Sequence, residues 1–249
     1  GYIKTKIRKN MIRKLKKDSL TLADHFYNKQ SSVPIDIVMP AVEKDLSVLV
    51  HAVHYARRNI KHPIHNIYIV SPENEKIKKI CDELKCTFVD EKEVVPVSLN
   101  EIDYFPLGQD RRGWLFQQLI KLNADKFCKS EHILALDTDT LMVKPQVFVI
   151  GDQTIFNCSE EYNPDYFLMY ERLIREKPSS LVSFVSHHML FEKTKLDEFK
   201  RHIEKKHEMK WHEAIIHCLD KKSFSGFSEY ESYANFVYRR YPKNTIFLH

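Results

Sequence analysis

The stretch HILALDTDTL, residues 132–141, decides how this chain of 249 residues folds. Its first half is strongly apolar, which is typical of a strand buried inside a parallel sheet. Acids then follow at Asp137 and Asp139. Two carboxylates at i and i+2 on extended backbone point the same way, so both can bind one cation. Ligands of open α/β sheets lie at the carboxyl ends of the strands, so we expect a site at this pair.

Upstream of this stretch, short β-branched runs alternate with segments of helical periodicity. Strands are predicted at residues 35–39, 66–70 and 86–89. The segments between them are predicted helices, and Pro72 is predicted to stand in the first turn of the second one. The order β-α-β-α-β predicts a parallel sheet with crossover helices.

The rest of the chain is predicted to be α+β, after a helix at 113–127 that leads into the strand at 132–136. Further strands are predicted at 147–150, 181–185 and 245–248, and further helices near 165–175, 195–207, 211–219 and 229–239. The predicted fold class is therefore α/β: a Rossmann-related α/β/α sandwich with a mixed, mainly parallel central sheet and an α+β C-terminal half.

Composition excludes several classes of function. The chain has five glycines, and no window holds the three that a dinucleotide fingerprint requires. Gly108 and Gly113 have P-loop spacing, but Trp114 stands where that motif needs lysine. The five cysteines are scattered, without a C-x-x-C pair, so we expect reduced thiols and a cytoplasmic location. No stretch approaches the roughly 18 apolar residues of a membrane span.

The formal net charge of +5 is unevenly spread. Eight basic residues precede the first acid, Asp18: Lys4, Lys6, Arg8, Lys9, Arg13, Lys14, Lys16 and Lys17. We interpret residues 1–32 as a basic N-terminal arm, either a solvated helix or a peripheral contact with the inner face of a membrane. The remaining chain is close to neutral, so no nucleic-acid partner is expected.

Two segments carry polar side chains in patterns that suit a binding site. Trp114, Gln118 and Lys121 fall at i, i+4 and i+7 and line one helix face, and Arg111 and Arg112 stand at the start of that helix, where the dipole favours anions. Arginines can bind a diphosphate in a fork, and Lys121 can add a point charge. Two structural alternatives stay open beside these binding roles: the arginines could form surface ion pairs, and Trp114 could lie in the core.

The segment SEYE at 228–231 has the pattern of a capping box. Ser228 would be the N-cap, and Glu231 would bond back to the amide of that cap. Glu229, at the first helical position, is not needed for capping, so its side chain is expected to project freely.

Four segments together resemble the GT-A-fold glycosyltransferases: IDIVMPA at 35–41, RRGWLFQQLIKL at 111–122, LALDTDT at 134–140 and FSEYESYANF at 227–236. More closely, they resemble a bacterial-type, DxD-containing branch associated with surface-polysaccharide synthesis. The resemblance covers about residues 33–240. It implies a hexosyltransferase-type enzyme that moves a sugar from a nucleotide-diphosphate donor, UDP above all, to a hydroxyl of a glycan or glycolipid. It also implies Mn²⁺ or Mg²⁺ at Asp137 and Asp139.

The same resemblance implies one GT-A-like domain over residues 33–249, with a nucleotide-sugar-binding half at 33–141 and an acceptor-binding half at 142–249. It assigns the donor to residues at the strand ends and on the following helix: Pro40, Ala41, Val42, Ser71, Asp90, Arg111, Arg112, Trp114, Gln118, Lys121, Asp137, Thr138 and Asp139. The nucleoside would lie against the first five of these.

For catalysis, the resemblance implies a carboxylate near the start of the last long helix. Glu229 is expected to deprotonate the acceptor hydroxyl or to clamp the acceptor, with Glu231 as second candidate. The common E-D form of this motif is absent, so inversion and retention both stay open. His187 and His188 would face the acceptor, one of them bonding sugar hydroxyls, and His188 is also a candidate catalytic residue. His249 is a candidate third metal ligand.

Two other classes of function stay open. A haloacid-dehalogenase-type phosphatase also ends a strand with D-x-D, but its motif belongs on the first strand and needs Thr or Val where Leu141 stands. A non-catalytic scaffold that binds a sugar nucleotide is the other alternative. The intact Asp137, Asp139 and Glu229 count against it.

Overall fold

A computed structural model describes residues 2–27 and 29–249. Its helices and strands, in chain order, are α1 (Tyr2–Tyr27), β1 (Ile35–Pro40), α2 (Leu46–Asn59), β2 (Ile64–Ser71), α3 (Glu75–Leu84), β3 (Thr87–Asp90), α4 (Arg112–Leu122), β4 (His132–Leu136), β5 (Val149–Ile150), β6 (Gln153–Asn157), α5 (Pro164–Ile174), β7 (His188–Glu192), α6 (Lys193–His207), α7 (Trp211–Cys218), α8 (Glu229–Arg240) and β8 (Thr245–Leu248).

The central sheet has five strands in the order β3-β2-β1-β4-β7, and all are parallel except β7, which pairs antiparallel with β4. Since β1 lies in the middle, all six of its residues are buried. Ile37 packs with α2 and α3 on one face, whereas Val38 packs with α4 and the C-terminal helices on the other. This period of two follows from the pleat of the strand. The predicted mixed, mainly parallel α/β fold is confirmed.

A second sheet of three strands, in the order β5-β6-β8, belongs to the C-terminal half. β6 and β8 run parallel, with Ile155 opposite Ile246. Leu22 of α1 packs on this sheet, and Ile12 of α1 is buried in the main core. The basic N-terminal segment therefore forms a helix, α1 (Tyr2–Tyr27), that packs on the domain. No described helix is long and apolar enough to cross a membrane.

Three predictions about the elements are wrong. Residues 181–185 form a single bridge, from Ser183 to Ser159, and no strand, because the next amide, that of Phe184, donates to the Glu231 carboxylate (3.2 Å). The edge strand of the central sheet beside β4 is β7 instead. Neither β7 nor β6 is predicted from the sequence. Pro72 lies before α3, whose N-cap is Asn74 with its side chain accepting from two amides of the first turn. The helix predicted at 113–127 ends at Leu122.

Candidate active site

A cleft of about 400 Å³ opens where β1 and β4 end. Its walls come from the ends of both strands, from α4, from the segment before β7 and from the start of α8. The cleft brings together these predicted site residues: Pro40, Trp114, Gln118, Lys121, Asp137, Thr138, Asp139, His187 and Glu229. Thr138 donates its hydroxyl proton to the Pro40 carbonyl and so joins the ends of the two strands. The remaining predicted residues are not part of the lining.

Asp137 follows β4 and has two carboxylate oxygens in different surroundings. Its Oδ1 accepts from the Lys121 ammonium (2.7 Å) and from the Tyr230 hydroxyl (3.2 Å) on the inner side. Its Oδ2 lies 3.7 Å from His187 Nδ1 on the outer side. The backbone of Asp137 is held as well, because its amide donates to the His187 carbonyl (3.0 Å). One oxygen is therefore engaged by the protein and the other faces the exposed side.

A candidate metal centre lies at the mouth of the cleft. One ligand atom each of Asp137, Asp139 and His187 lies within 4.8 Å of the others. Two carboxylates and an imidazole suit a divalent ion, and the imidazole favours Mn²⁺ over the strictly oxygen-loving Mg²⁺. The His187 side chain is 77% exposed, so an ion held there keeps open positions.

The sequence analysis places His187 with the acceptor and does not identify it as a candidate metal ligand. The signal for it is the pairing of β7 with β4, which sets Leu136 opposite His188 and so brings His187 to Asp137. This pairing was not predicted because β7 itself was missed.

Lys121 is buried and has an acceptor for each of its three protons. Its ammonium lies 2.7 Å from Glu229 Oε1, 2.7 Å from Asp137 Oδ1 and 3.1 Å from the Tyr230 hydroxyl. Burial lowers the pKa of Lys121, but the negative charges of Glu229 and Asp137 outweigh that effect and raise it well above the ordinary value. The ammonium therefore stays charged and, in this arrangement, has no proton left for a phosphate.

Glu229 does not project freely, which corrects the expectation from its place in the helix. Its side chain is buried and paired with Lys121, because the first turn of α8 forms the inner wall of the cleft. Its backbone amide donates to Gln118 Oε1 (3.0 Å). Burial raises the pKa of Glu229, Lys121 lowers it, and the charge of Asp137 raises it further.

Glu231 completes only half of the predicted capping box. Its amide donates to Ser228 Oγ (3.1 Å), but its carboxylate turns inward. There it accepts from Ser183 Oγ (2.7 Å), from the Phe184 amide and from Asn235 Nδ2 (2.8 Å). Burial raises the pKa of Glu231 to about 7 in spite of these donors. The Glu231 side chain therefore forms hydrogen bonds in the protein interior and does not line the cleft.

The two arginines at the start of α4 do not line the cleft and are paired with neighbouring groups. Arg112 forms a bidentate pair with Asp110 (2.8 and 3.0 Å), which is the ion-pair alternative. Arg111 donates to the Phe224 carbonyl (3.2 Å) and lies 4.2 Å over the ring of Trp114. Trp114 itself lines the cleft, so it is the member of this group that is placed to contact a bound molecule.

Several predicted donor-site residues lie at the strand ends without facing the cleft. Ala41 and Ser71 are buried. The Val42 amide donates to Asp45 Oδ2 (3.0 Å), and Asp90 caps a short turn by accepting from the Lys92 amide.

The two remaining histidines also have other partners. His188 Nε2 lies 3.2 Å from Asn157 Oδ1, and burial lowers the pKa of His188 to about 4. His249 lies beside α1, where its amide donates to Ser19 Oγ (2.7 Å) and its ring is 3.8 Å from Glu160. Among the described residues, the ligand cluster does not include it.

Comparison with protein families gives one match. The sequence model of a family described as "Family of unknown function (DUF6492)" matches residues 44–246. The chain belongs to this family. Among curated proteins, no sequence matches significantly.

Solved structures that resemble this chain include several glycosyltransferases. Galactosyltransferase LgtC, in complex with donor and acceptor sugar analogues, is 11% identical, with a TM-score of 0.44 over 85% of this chain and 72% of that one. Mannosyl-3-phosphoglycerate synthase from Rubrobacter xylanophilus is 16% identical, with a TM-score of 0.29 over 43% of this chain and 32% of that one. Glucosyl-3-phosphoglycerate synthase from Mycobacterium tuberculosis, with Mn²⁺, UDP and glucosyl-3-phosphoglycerate, is 7% identical, with a TM-score of 0.37 over 66% and 58%. The chain spans less than two thirds of the length of the two synthases.

Proposed function

We propose that this protein is a metal-dependent glycosyltransferase. It would move a sugar from a nucleotide-diphosphate donor, UDP above all, to a hydroxyl of a glycan or glycolipid. The observation that carries the proposal is the placement of two sets of groups in one cleft. The ligand atoms of Asp137, Asp139 and His187 lie at its mouth, and the Glu229 carboxylate is buried in its wall. A volume of about 400 Å³ falls within the range of small-molecule sites.

The residues at the mouth would hold Mn²⁺ or Mg²⁺ through Asp137 Oδ2, Asp139 and His187. When bound, such an ion neutralises the negative charge that develops on a departing diphosphate. The donor would lie across the ends of β1 and β4, against Pro40, Thr138 and the ring of Trp114. We therefore propose that residues 33–141 form the donor half and residues 142–249 the acceptor half of one domain.

Glu229 is the proposed base for the acceptor. In the transfer, the acceptor hydroxyl oxygen forms a bond to the anomeric carbon while the bond from that carbon to the diphosphate oxygen breaks. The hydroxyl proton passes to the Glu229 carboxylate. Burial and the charge of Asp137 raise the pKa of Glu229 above its ordinary value in spite of Lys121 at 2.7 Å, which makes the carboxylate a stronger proton acceptor. Glu231, the second candidate from the sequence, is not proposed as the base, because its carboxylate is engaged by Ser183 and Asn235.

The fold weighs against a phosphatase of the D-x-D type, because the motif of such an enzyme follows the first strand of the domain, whereas Asp137 follows β4. A scaffold without turnover would bind the donor without hydrolysing or transferring it, so a turnover assay distinguishes it from the transferase. The five free cysteines fit the reducing cytoplasm that we propose as its location.

The deciding experiment measures binding and turnover separately. A panel of nucleotide sugars is screened by thermal shift with and without Mn²⁺, and hydrolysis or transfer of the donor that binds is then followed. We expect Mn²⁺ to strengthen binding of a UDP-sugar, and Glu229→Gln to reduce transfer at least about 100-fold while donor affinity changes little. Unchanged binding without metal, or binding with no turnover by the wild type, contradicts the proposal.

A further inference from the structure

Helix α1 has an inner and an outer side with different chemistry. Its inner side is anchored to the domain: Met11, Ile12 and Leu15 pack on the main core. Arg8 donates to the Glu160 carbonyl (2.6 Å), and the Ser19 hydroxyl accepts from the last residue of the chain. Because these contacts fix the rotation of the helix, they also determine which side chains face outward.

Four basic side chains form the outer stripe of α1: Lys6, Lys9, Arg13 and Lys17. All four are exposed. At 100° per residue they fall within an arc of about 80°, and Leu20, 74% exposed, continues the same arc. From the first of them to Leu20 the stripe is about 21 Å long. None of the four forms an ion pair with a side chain that the structure describes.

The positive charge of the protein is concentrated in its first 20 residues, which include the four of the stripe. Residues 1–20 hold eight basic residues and one acid, while the whole chain has a net charge of +5. The remainder is therefore slightly negative, and attraction toward an anionic partner is directed at this helix.

We propose that the outer stripe of α1 docks this protein on an anionic lipid bilayer. A bilayer presents many negative headgroups on one surface, so a straight ridge of four cations can contact them together. Leu20 favours this partner over a soluble polyanion, since an apolar side chain gains by entering the interface of a bilayer but has nothing to contact on a phosphate backbone. The proposal is independent of the reaction that the cleft performs.

The experiment uses the full chain and large vesicles, either phosphatidylcholine alone or phosphatidylcholine with about 30% phosphatidylglycerol. Sedimentation with the vesicles is measured at low salt and at about 0.5 M NaCl. We expect binding to the anionic vesicles at low salt only, and loss of roughly 100-fold in partitioning for the combined Lys9→Gln, Arg13→Gln and Lys17→Gln variant.

A matched control removes three exposed charges elsewhere, with Lys205→Gln, Lys206→Gln and Lys210→Gln, and is expected to bind as the wild type does. Leu20→Gln, a second variant, is expected to weaken binding while leaving its salt dependence unchanged. Thermal melting shows that each variant is folded. Equal binding to neutral vesicles, equal loss in the control, or retention on heparin without vesicle binding overturns the proposal.

Discussion

The ammonium of Lys121 lies 2.7 Å from the carboxylate of Glu229, and both groups are buried. The same ammonium reaches Asp137 at 2.7 Å. One cation thus separates the carboxylate assigned to the metal from the carboxylate assigned to the acceptor. Without it, two negative charges would face each other in a region with little water. We infer that Lys121 positions both acids rather than binding the donor itself.

Lys121→Met is expected to destabilise the protein by about 3 kcal/mol, because it leaves the Glu229 charge buried without a partner. The double variant Lys121→Met with Glu229→Gln removes that unpaired charge and is expected to be more stable than Lys121→Met alone. Urea unfolding of the wild type, both single variants and the double variant measures the coupling. Additive losses would mean that the two side chains do not interact.

Asp139→Asn is expected to lower transfer roughly 100-fold or more, because it removes a charged ligand at the mouth of the cleft. Its side chain is exposed, so the free energy of unfolding should change by less than about 0.5 kcal/mol. Kinetics and urea unfolding on the same preparation check both statements. Asp152→Asn, an exposed acid in the loop between β5 and β6, is the control and should retain full activity. A large loss of stability in Asp139→Asn would make that acid structural.

His187→Ala and His249→Ala distinguish the two candidates for the third metal ligand. We expect the first variant to weaken Mn²⁺ binding by roughly 10- to 100-fold, since it removes one ligand of three. The second should leave Mn²⁺ affinity unchanged, because His249 lies beside Glu160 and Ser19. Calorimetric titration with Mn²⁺ measures both affinities. The opposite order of effects would restore the assignment made from sequence.

The parallel part of the sheet could be predicted because its strands are locally apolar and its acids follow β4 directly. The antiparallel pairing of β7 with β4 could not be predicted from the sequence. Val182 and Phe184 are fully buried, so their segment has the composition of a strand. The Glu231 carboxylate accepts from the Ser183 hydroxyl and the Phe184 amide. A partner almost fifty residues away in sequence leaves no local pattern, and the position of His187 depends on this unpredicted edge.

The buried Glu231 gives a stability effect with a defined dependence on pH. Burial raises its pKa from an ordinary 4.5 to about 7, with Glu161 adding to the shift and the donors Ser183, Phe184 and Asn235 opposing it. Between these two values the unfolded chain is ionised at this residue while the folded protein keeps the proton. The free energy of unfolding therefore falls as pH rises through this window, by roughly 3 kcal/mol from this residue.

Glu231→Gln removes the titrating group, so the variant should lack this part of the slope. At pH 4.5 it is expected to be less stable than the wild type, because its amide nitrogen meets the Phe184 or Asn235 donor. The difference should shrink by about 3 kcal/mol as pH rises to 7. Urea unfolding at several pH values measures it, with the exposed Glu83→Gln as control. Parallel curves for the wild type and Glu231→Gln would show that Glu231 is ionised in the folded protein throughout this range.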